Sequence, residues 1–102
     1  MCGISGFINK NLSESKKQFL TKELSELQAH RGPDFSGEWN YSNAHFFHQR
    51  LSLIDGNSRS NQPFYNDDFV LCFNGEIYNF LVLKQHLPTV NFTTTSDTEV
   101  LF

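Results

Sequence analysis

A cysteine stands directly behind the initiator methionine, in the opening stretch MCGISGF. A thiolate attacks carbonyl groups far better than a thiol does, and an ordinary thiol is mostly protonated near neutral pH, so a nucleophilic cysteine needs a base. If Met1 is removed, the new α-amine of Cys2 can accept the thiol proton, directly or through a water molecule. Cys2 would then supply nucleophile and base together. Taken alone, a cysteine at this position is better explained as a small apolar residue at the start of a strand.

An Asn-Gly step, Asn74 and Gly75, follows the apolar run FVLCF. At the end of a strand such a step can point a side-chain amide and an unobstructed backbone N–H at one spot, which is the geometry of an oxyanion hole. Arg50 carries a guanidinium group, which can bind a carboxylate through two parallel hydrogen bonds. Each feature also has an ordinary explanation, as a hairpin turn for Asn-Gly and as a solvated charge for the arginine.

The second cysteine and the histidines offer less chemistry. Cys72 lies inside FVLCF, where we expect a buried, unreactive thiol. His45 and His48 are three residues apart in a predicted strand, which places them on opposite faces, so we expect no metal site there. A histidine that acts as base for Cys2 stays open as an alternative to the α-amine.

The pattern of apolar and turn residues predicts an α+β domain, a strand-rich core with flanking helices. The predicted strands are CGISGFI, the stretches around 39–41 and 44–53, FVLCF, and TVNFTTT. The predicted loops are HRGPD and DGNSRSNQPFYNDD.

Three helices are predicted from their starting signals. The first is SESKKQFLTKELSELQ, where Ser15 and Gln18 have the spacing of a capping box. The second follows Asn79 as its cap and stops before Pro88. Ser96 and Glu99 have capping-box spacing as well, so a third helix should begin there. Only three residues remain after SDTE, too few to repay helix nucleation, so we expect the chain to be truncated at its carboxyl end.

Composition excludes several classes of protein. The 102 residues include 38% hydrophobic and 19% charged side chains, which is typical of one globular domain. The net charge of −3 and the scattered basic residues argue against nucleic-acid binding. No segment has the pattern of a membrane span or of a signal peptide, so we expect a soluble, cytoplasmic protein with no membrane partner.

Six strings occur in a characteristic order, namely MCGISGF, HRGPD, HQRLSLID, NQPFYN, NGEIYN and SDTEVLF. Together they resemble the type-2 glutamine amidotransferase domain of the amino-terminal-nucleophile hydrolases, in the form that begins glutamine-hydrolysing asparagine synthetase. The resemblance spans nearly the whole chain. Amidotransferases of the amino-sugar and purine pathways share the leading cysteine and the Asn-Gly step, and the glutaminase part of such an enzyme remains an alternative.

The resemblance implies a reaction, the hydrolysis of glutamine to glutamate and ammonia. Cys2 matches the nucleophile that carries the glutamyl thioester. Asn74 matches the residue whose side-chain amide, with the backbone N–H of Gly75, forms the oxyanion hole.

The resemblance also implies how glutamine is held. Arg50 matches the clamp for the α-carboxylate, and Glu76 and Asp97 match the acids that hold the α-ammonium group. An acid at Asp97 is favoured by the dipole of the predicted helix anyway. Arg31 and Asp34 of HRGPD and Gln49 receive no catalytic role, because loop shaping explains them at least as well.

The implied fold is a four-layer αββα sandwich, of which residues 1–102 are the first, partial glutaminase domain, without the synthetase domain. We expect no cofactor in this chain, because ATP and Mg²⁺ belong to that missing domain, which is the implied partner besides glutamine. Two departures from the family pattern, Ser5 in place of alanine and the loop GNSRSNQP, are expected to touch no proposed catalytic group. A competing hypothesis is a non-catalytic remnant that binds glutamine or a partner subunit, and another is a small structural domain.

Overall fold

The computed structural model describes residues 1–102, and its main sheet has three antiparallel strands. These are Gly3–Ile8 (β1), Phe35–Tyr41 (β2) and Ala44–Arg50 (β3), in the spatial order β1–β3–β2. Gly3 pairs with Gln49 and Phe35 pairs with Arg50. The end of β3 therefore lies beside the beginning of both neighbouring strands, which brings Arg50 close to Cys2.

The first helix, α1, spans Glu14–Gln28. It begins at Ser13, whose extended backbone (φ −65°, ψ 155°) lets the hydroxyl accept a hydrogen bond from the Lys16 N–H. The predicted capping box at Ser15 is therefore wrong, because Ser15 already lies inside the first turn. At the other end of the helix, the Gln28 amide donates to the backbone of β1 at Ile4 over 2.9 Å. This bond fixes α1 against the sheet.

The remaining elements are short. They are a two-stranded sheet of Phe64–Tyr65 (β4) and Val70–Leu71 (β5), the helix Phe80–Gln85 (α2), and 3-10 turns at Ala29–Arg31, Ser58–Ser60 and Thr98–Leu101. The strand predicted for FVLCF is reduced to two residues, because the Phe73 N–H donates to the side chain of Gln62 rather than to a neighbouring strand. Asn79 holds the cap position of α2 but makes no side-chain capping bond.

The carboxyl-terminal predictions need two corrections. The stretch TVNFTTT is not a strand, because the Thr93 and Thr94 N–H groups bind the Glu99 carboxylate, each over 2.8 Å. Glu99 consequently does not complete a capping box with Ser96, whose hydroxyl accepts from the Thr98 N–H instead. The helix predicted at SDTE is a 3-10 turn, Thr98–Leu101.

The buried interior is mainly polar. Phe47, at 2% exposed, is the only large hydrophobic side chain that is buried, while many others stay exposed. The buried polar or charged residues are His48, Gln49, Arg50, Ser60, Gln62, Thr94, Ser96, Asp97 and Thr98. Burying polar groups costs free energy unless they are paired, so a polar interior indicates a site as well as packing. Neither helix is long and apolar enough to cross a membrane.

Candidate active site

A cavity of about 350 Å³ is lined by every residue to which the sequence analysis assigned a catalytic or binding role. These residues are Cys2, Arg50, Asn74, Gly75, Glu76 and Asp97. They come from segments that are far apart in the chain. The volume is at the small end of the range for small-molecule sites, so an amino-acid-sized ligand suits it.

Cys2 is half-buried and is held through both its side chain and its backbone. The Leu51 N–H donates to the Cys2 sulfur over 3.3 Å, and the thiol donates to the Leu51 carbonyl over 3.7 Å. The Arg31 Nε–H donates to the Cys2 carbonyl over 3.1 Å. The sulfur thus has a fixed place in the cavity wall, with a backbone N–H directed at it.

The HRGPD loop is hydrogen-bonded to the end of β3 and to the residues that follow it. The Asp34 carboxylate accepts from the Ser52 N–H over 2.7 Å, and the Asp34 N–H donates to the Arg50 carbonyl over 3.1 Å. A β-carbon at Gly32 would lie 2.2 Å from the Gln49 carbonyl oxygen, so only glycine permits this approach of loop and strand. The loop-shaping interpretation of Asp34 is confirmed.

Gln49 points its amide away from the cavity. Its Nε2 donates to the Ser36 hydroxyl over 2.9 Å and to the Ser25 hydroxyl over 3.1 Å. It therefore ties α1 to the sheet, and it does not line the cavity.

Arg50 is a buried cation, 5% exposed, that forms no ion pair with any acid. Its terminal nitrogens donate to neutral acceptors of the following loop, namely the carbonyls of Ile54, Asp55 and Asn57 and the Asn61 side chain. The solvated-charge interpretation is therefore wrong. A buried guanidinium without an acidic partner attracts a ligand anion.

The same bonds correct a second expectation. Asn57 and Asn61 belong to the loop GNSRSNQP, which was expected to touch no proposed catalytic group. Both asparagines contact the guanidinium of Arg50, so variation in this loop bears directly on the cation.

The two acids differ in their surroundings. Asp97 is buried, and its Oδ2 accepts from the Ile77 N–H over 2.8 Å. It occupies the cap position of the turn Thr98–Leu101 but makes no capping bond with its side chain. Glu76 is exposed and forms no ion pair. The cavity therefore presents one cation and two carboxylates, a combination that suits a zwitterion.

Asn74 and Gly75 do not form a hairpin turn. They lie between β5 and α2, and no strand follows that could pair back onto β5. A β-carbon at Gly75 would lie 2.7 Å from the Phe73 ring, so a larger residue here would require that ring to move. Both residues line the cavity, which leaves the amide of Asn74 and the N–H of Gly75 as candidate donors to a ligand.

None of the four histidines lines the cavity, which removes the support for a histidine base. His45 lies 2.7 Å from the Glu38 carboxylate. His48 is fully buried, and its Nε2 lies 3.2 Å from the Phe73 carbonyl. Burial lowers the pKa of His48.

Cys72 also lies outside the cavity, and it is half-buried rather than fully buried as expected. Burial raises the pKa of the Cys72 thiol to about 11. The structure thus separates the two thiols, one inside the cavity and one in an environment that disfavours the thiolate.

Sequence reasoning missed two residues that hold the cavity walls together. The Asp55 carboxylate accepts from the Ser60 hydroxyl over 2.7 Å and from the Thr95 N–H over 2.8 Å, and these bonds hold the pKa of Asp55 well below its usual range. Gln62 is buried and accepts from the Phe73 N–H. Both residues lie in a stretch rich in turn residues, where a local role is the ordinary expectation.

The chain matches a family model described as glutamine amidotransferase domain, over residues 1–102. It is 41% identical to an asparagine synthetase [glutamine-hydrolyzing] of Sandersonia aurantiaca, over 99% of this chain and 19% of the relative. It is 42% identical to asparagine synthetase [glutamine-hydrolyzing] 2 of Oryza sativa subsp. japonica and 43% identical to an asparagine synthetase [glutamine-hydrolyzing] of Zea mays, each over 99% of this chain and 17% of the relative. The chain therefore spans less than a fifth of the length of these relatives.

Proposed function

The chain belongs to the glutamine amidotransferase domain family, and we propose that its cavity hydrolyses glutamine to glutamate and ammonia through a thioester on Cys2. The observation that carries this proposal is the meeting of a thiol, an Asn-Gly step, a buried cation and two acids in one cavity. The printed names of the relatives, which specify glutamine hydrolysis, support the same reaction.

The first half of the reaction makes the thioester. Once Met1 is removed, the α-amine of Cys2 takes the thiol proton, and the sulfur attacks the side-chain amide carbon of glutamine. The Asn74 amide and the Gly75 N–H donate to the oxyanion that forms on the amide oxygen. The protonated α-amine of Cys2 then gives its proton to the leaving nitrogen of glutamine, the C–N bond breaks, and ammonia departs.

The second half releases glutamate. A water molecule gives a proton to the α-amine and attacks the thioester carbonyl, again with the oxyanion held by Asn74 and Gly75. The C–S bond then breaks, and the proton returns to the sulfur of Cys2. The thiol and the amine are both regenerated, so no external reagent other than water is consumed.

The charged side chains that line the cavity would recognise the two charged groups of glutamine. Arg50 binds the α-carboxylate, while Glu76 and Asp97 bind the α-ammonium group. Because the terminal nitrogens of Arg50 already donate to the following loop, the carboxylate shares these protons with the loop. Fixing both charged ends leaves a short neutral amide tail to reach Cys2, which favours glutamine over other amino acids.

The broader assignment follows from the relatives. We propose that residues 1–102 are the amino-terminal part of an αββα glutaminase domain in a cytoplasmic enzyme of the asparagine-synthetase type. In such an enzyme the ammonia passes to a synthetase domain that uses ATP and Mg²⁺ to convert aspartate into asparagine. The support is the 41% to 43% identity to proteins named as asparagine synthetases, of which this chain spans less than a fifth.

The experiment is an assay of ammonia release from L-glutamine by chain whose intact mass shows that Met1 is removed. Release should be lost in Cys2→Ala and kept in Cys72→Ala, and chain that retains Met1 should be inactive because its α-amine is displaced. No release by the processed chain, or equal release by Cys2→Ala, would overturn the proposal.

A further inference from the structure

The oxyanion segment, residues 73–77, carries Asn74 and Gly75 and is fixed at both ends by buried side chains. At its start, the Phe73 N–H donates to the Gln62 Oε1 over 2.6 Å. At its end, the Ile77 N–H donates to the Asp97 Oδ2 over 2.8 Å. The two donors proposed for the oxyanion hole therefore lie between two anchored peptide groups.

The orientation of the Gln62 amide is determined by its partners. A backbone N–H can only donate, so the oxygen of the amide must face Phe73 and the Nε2 must face the other way. On that side Nε2 donates to the Thr98 hydroxyl over 3.4 Å. Because Gln62 is only 6% exposed, water does not readily replace either bond.

Thr98 connects the two anchors to each other. Its hydroxyl accepts from Gln62 and donates to the Asp97 Oδ1 over 3.5 Å. Donors and acceptors thus alternate consistently from Phe73 through Gln62 and Thr98 to Asp97, which in turn binds Ile77. These side chains therefore form one continuous hydrogen-bond network that connects the two ends of the oxyanion segment.

A second buried side chain holds the same starting point. His48, at 0% exposed, has its Nε2 3.2 Å from the Phe73 carbonyl, and because a carbonyl only accepts, Nε2 carries the proton. Phe73 is therefore held at its N–H by Gln62 and at its carbonyl by His48. This residue immediately precedes Asn74, so its orientation sets the direction of the next peptide group.

We propose that Gln62 is a positioning residue for the oxyanion hole, acting through Phe73 on the Asn74 amide and the Gly75 N–H. This inference rests on the proposed glutaminase function. Gln62 would not bind the oxyanion itself. Its contribution is the placement of the two donors, and a displacement of about 1 Å in such a site can cost on the order of 10²-fold in rate.

The test is Gln62→Met, which keeps the length of the side chain and removes both hydrogen-bonding ends. We expect kcat for glutamine to fall on the order of 10²-fold, with KM little changed, since the oxyanion forms only after binding. The same substitution in an Asn74→Ala background should have a much smaller effect, because the principal donor that Gln62 positions is already gone.

Two further variants separate positioning from a loss of folding. Gln49→Met removes an equally buried glutamine that does not line the cavity, so its melting temperature should fall while kcat is kept. Thr98→Val breaks the link to Asp97 and should lower kcat in the same direction as Gln62→Met. Thr98→Ser keeps the hydroxyl and should restore kcat.

The outcomes distinguish this inference from the proposed function. If the parent chain hydrolyses glutamine and Gln62→Met retains kcat, or its loss simply adds to that of Asn74→Ala, the inference is overturned and the glutaminase proposal stands. If the parent chain releases no ammonia, the glutaminase proposal fails. In that case the positioning role of Gln62 is tested by NMR, through the amide resonances of Gly75 and of the Asn74 side chain. These resonances should shift in Gln62→Met and not in Gln49→Met, and unchanged resonances in Gln62→Met would overturn the inference.

Discussion

The two thiols of this chain should react very differently with an electrophilic glutamine analogue such as a diazoketone. Cys2 lies in the cavity that also holds the proposed ligands of the α-carboxylate and the α-ammonium group, whereas Cys72 lies outside it. An analogue that carries both charged groups should therefore bind next to Cys2 and not next to Cys72. The ratio of the two labelling rates then depends on how slowly Cys72 reacts with the analogue in free solution.

Burial sets the intrinsic rate at Cys72. With a pKa of about 11, roughly one molecule in 10³ carries a thiolate at about pH 8, against roughly a quarter for an unperturbed thiol. The more basic thiolate is also the better nucleophile, which recovers about tenfold of this difference. Cys72 should therefore react on the order of 20-fold more slowly than an ordinary thiol even before its partial burial is considered.

The assay is peptide mass spectrometry after timed labelling of the folded chain, with Cys2→Ala and Cys72→Ala as controls. Label should appear on the peptide that contains Cys2 and be suppressed by L-glutamine but not by D-glutamine. In urea, Cys72 should become reactive and the protection by L-glutamine should disappear. Equal labelling of both cysteines in the folded chain, or no protection by L-glutamine, would refute the assignment of the cavity.

Three further predictions follow from single residues. Asn74→Ala should lower kcat for glutamine by about 10²- to 10³-fold with KM little changed, and a rise in KM alone would contradict the oxyanion role. Burial lowers the pKa of His48 below its usual 6.5, so His48 takes up a proton at a higher pH in the unfolded chain than in the folded chain. The free energy of unfolding should therefore be fully kept above pH 6.5 and should decrease as the pH falls below 6.5. Urea unfolding across this range should show a weaker pH dependence in His48→Gln, and an unchanged slope would contradict the argument. Gly32→Ala should lower the free energy of unfolding by about 1–3 kcal/mol, since its β-carbon would lie 2.2 Å from the Gln49 carbonyl oxygen, whereas Gly56→Ala, with open space around it, should not.

The sequence was most informative where a residue has a chemistry of its own. Cys2, the Asn-Gly step and Arg50 each have a chemistry that could serve an amide-hydrolysing site, but the resemblance to a known family assigned their roles, and the structure brings them to one cavity. The strands β1, β2 and β3, though not their pairing, followed from runs of apolar and aromatic residues, and α1 followed from its spacing of phenylalanine and leucine. These are local signals, which a single sequence carries well.

Contacts between distant segments were not predictable in the same way. Gln62 reaches Thr98 across 36 positions and Asp55 reaches Thr95 across 40, yet the sequence predicts only a loop rich in turn residues for the stretch that holds both. Glu99 had the spacing of a capping box with Ser96 but binds the backbone of Thr93 and Thr94, which offer it more donors. Such competition between local and tertiary partners is decided by the folded chain, because the alternatives are of similar strength.

The proposed thioester on Cys2 can be tested most directly by trapping it with hydroxylamine. Chain lacking Met1 would be incubated with L-glutamine and increasing hydroxylamine, and the products measured by mass spectrometry. γ-Glutamyl hydroxamate should form at the expense of glutamate, and Cys2→Ala should yield neither product. Glutamate production without hydroxamate at any hydroxylamine concentration, or hydroxamate formation by Cys2→Ala, would contradict an acyl intermediate on this sulfur.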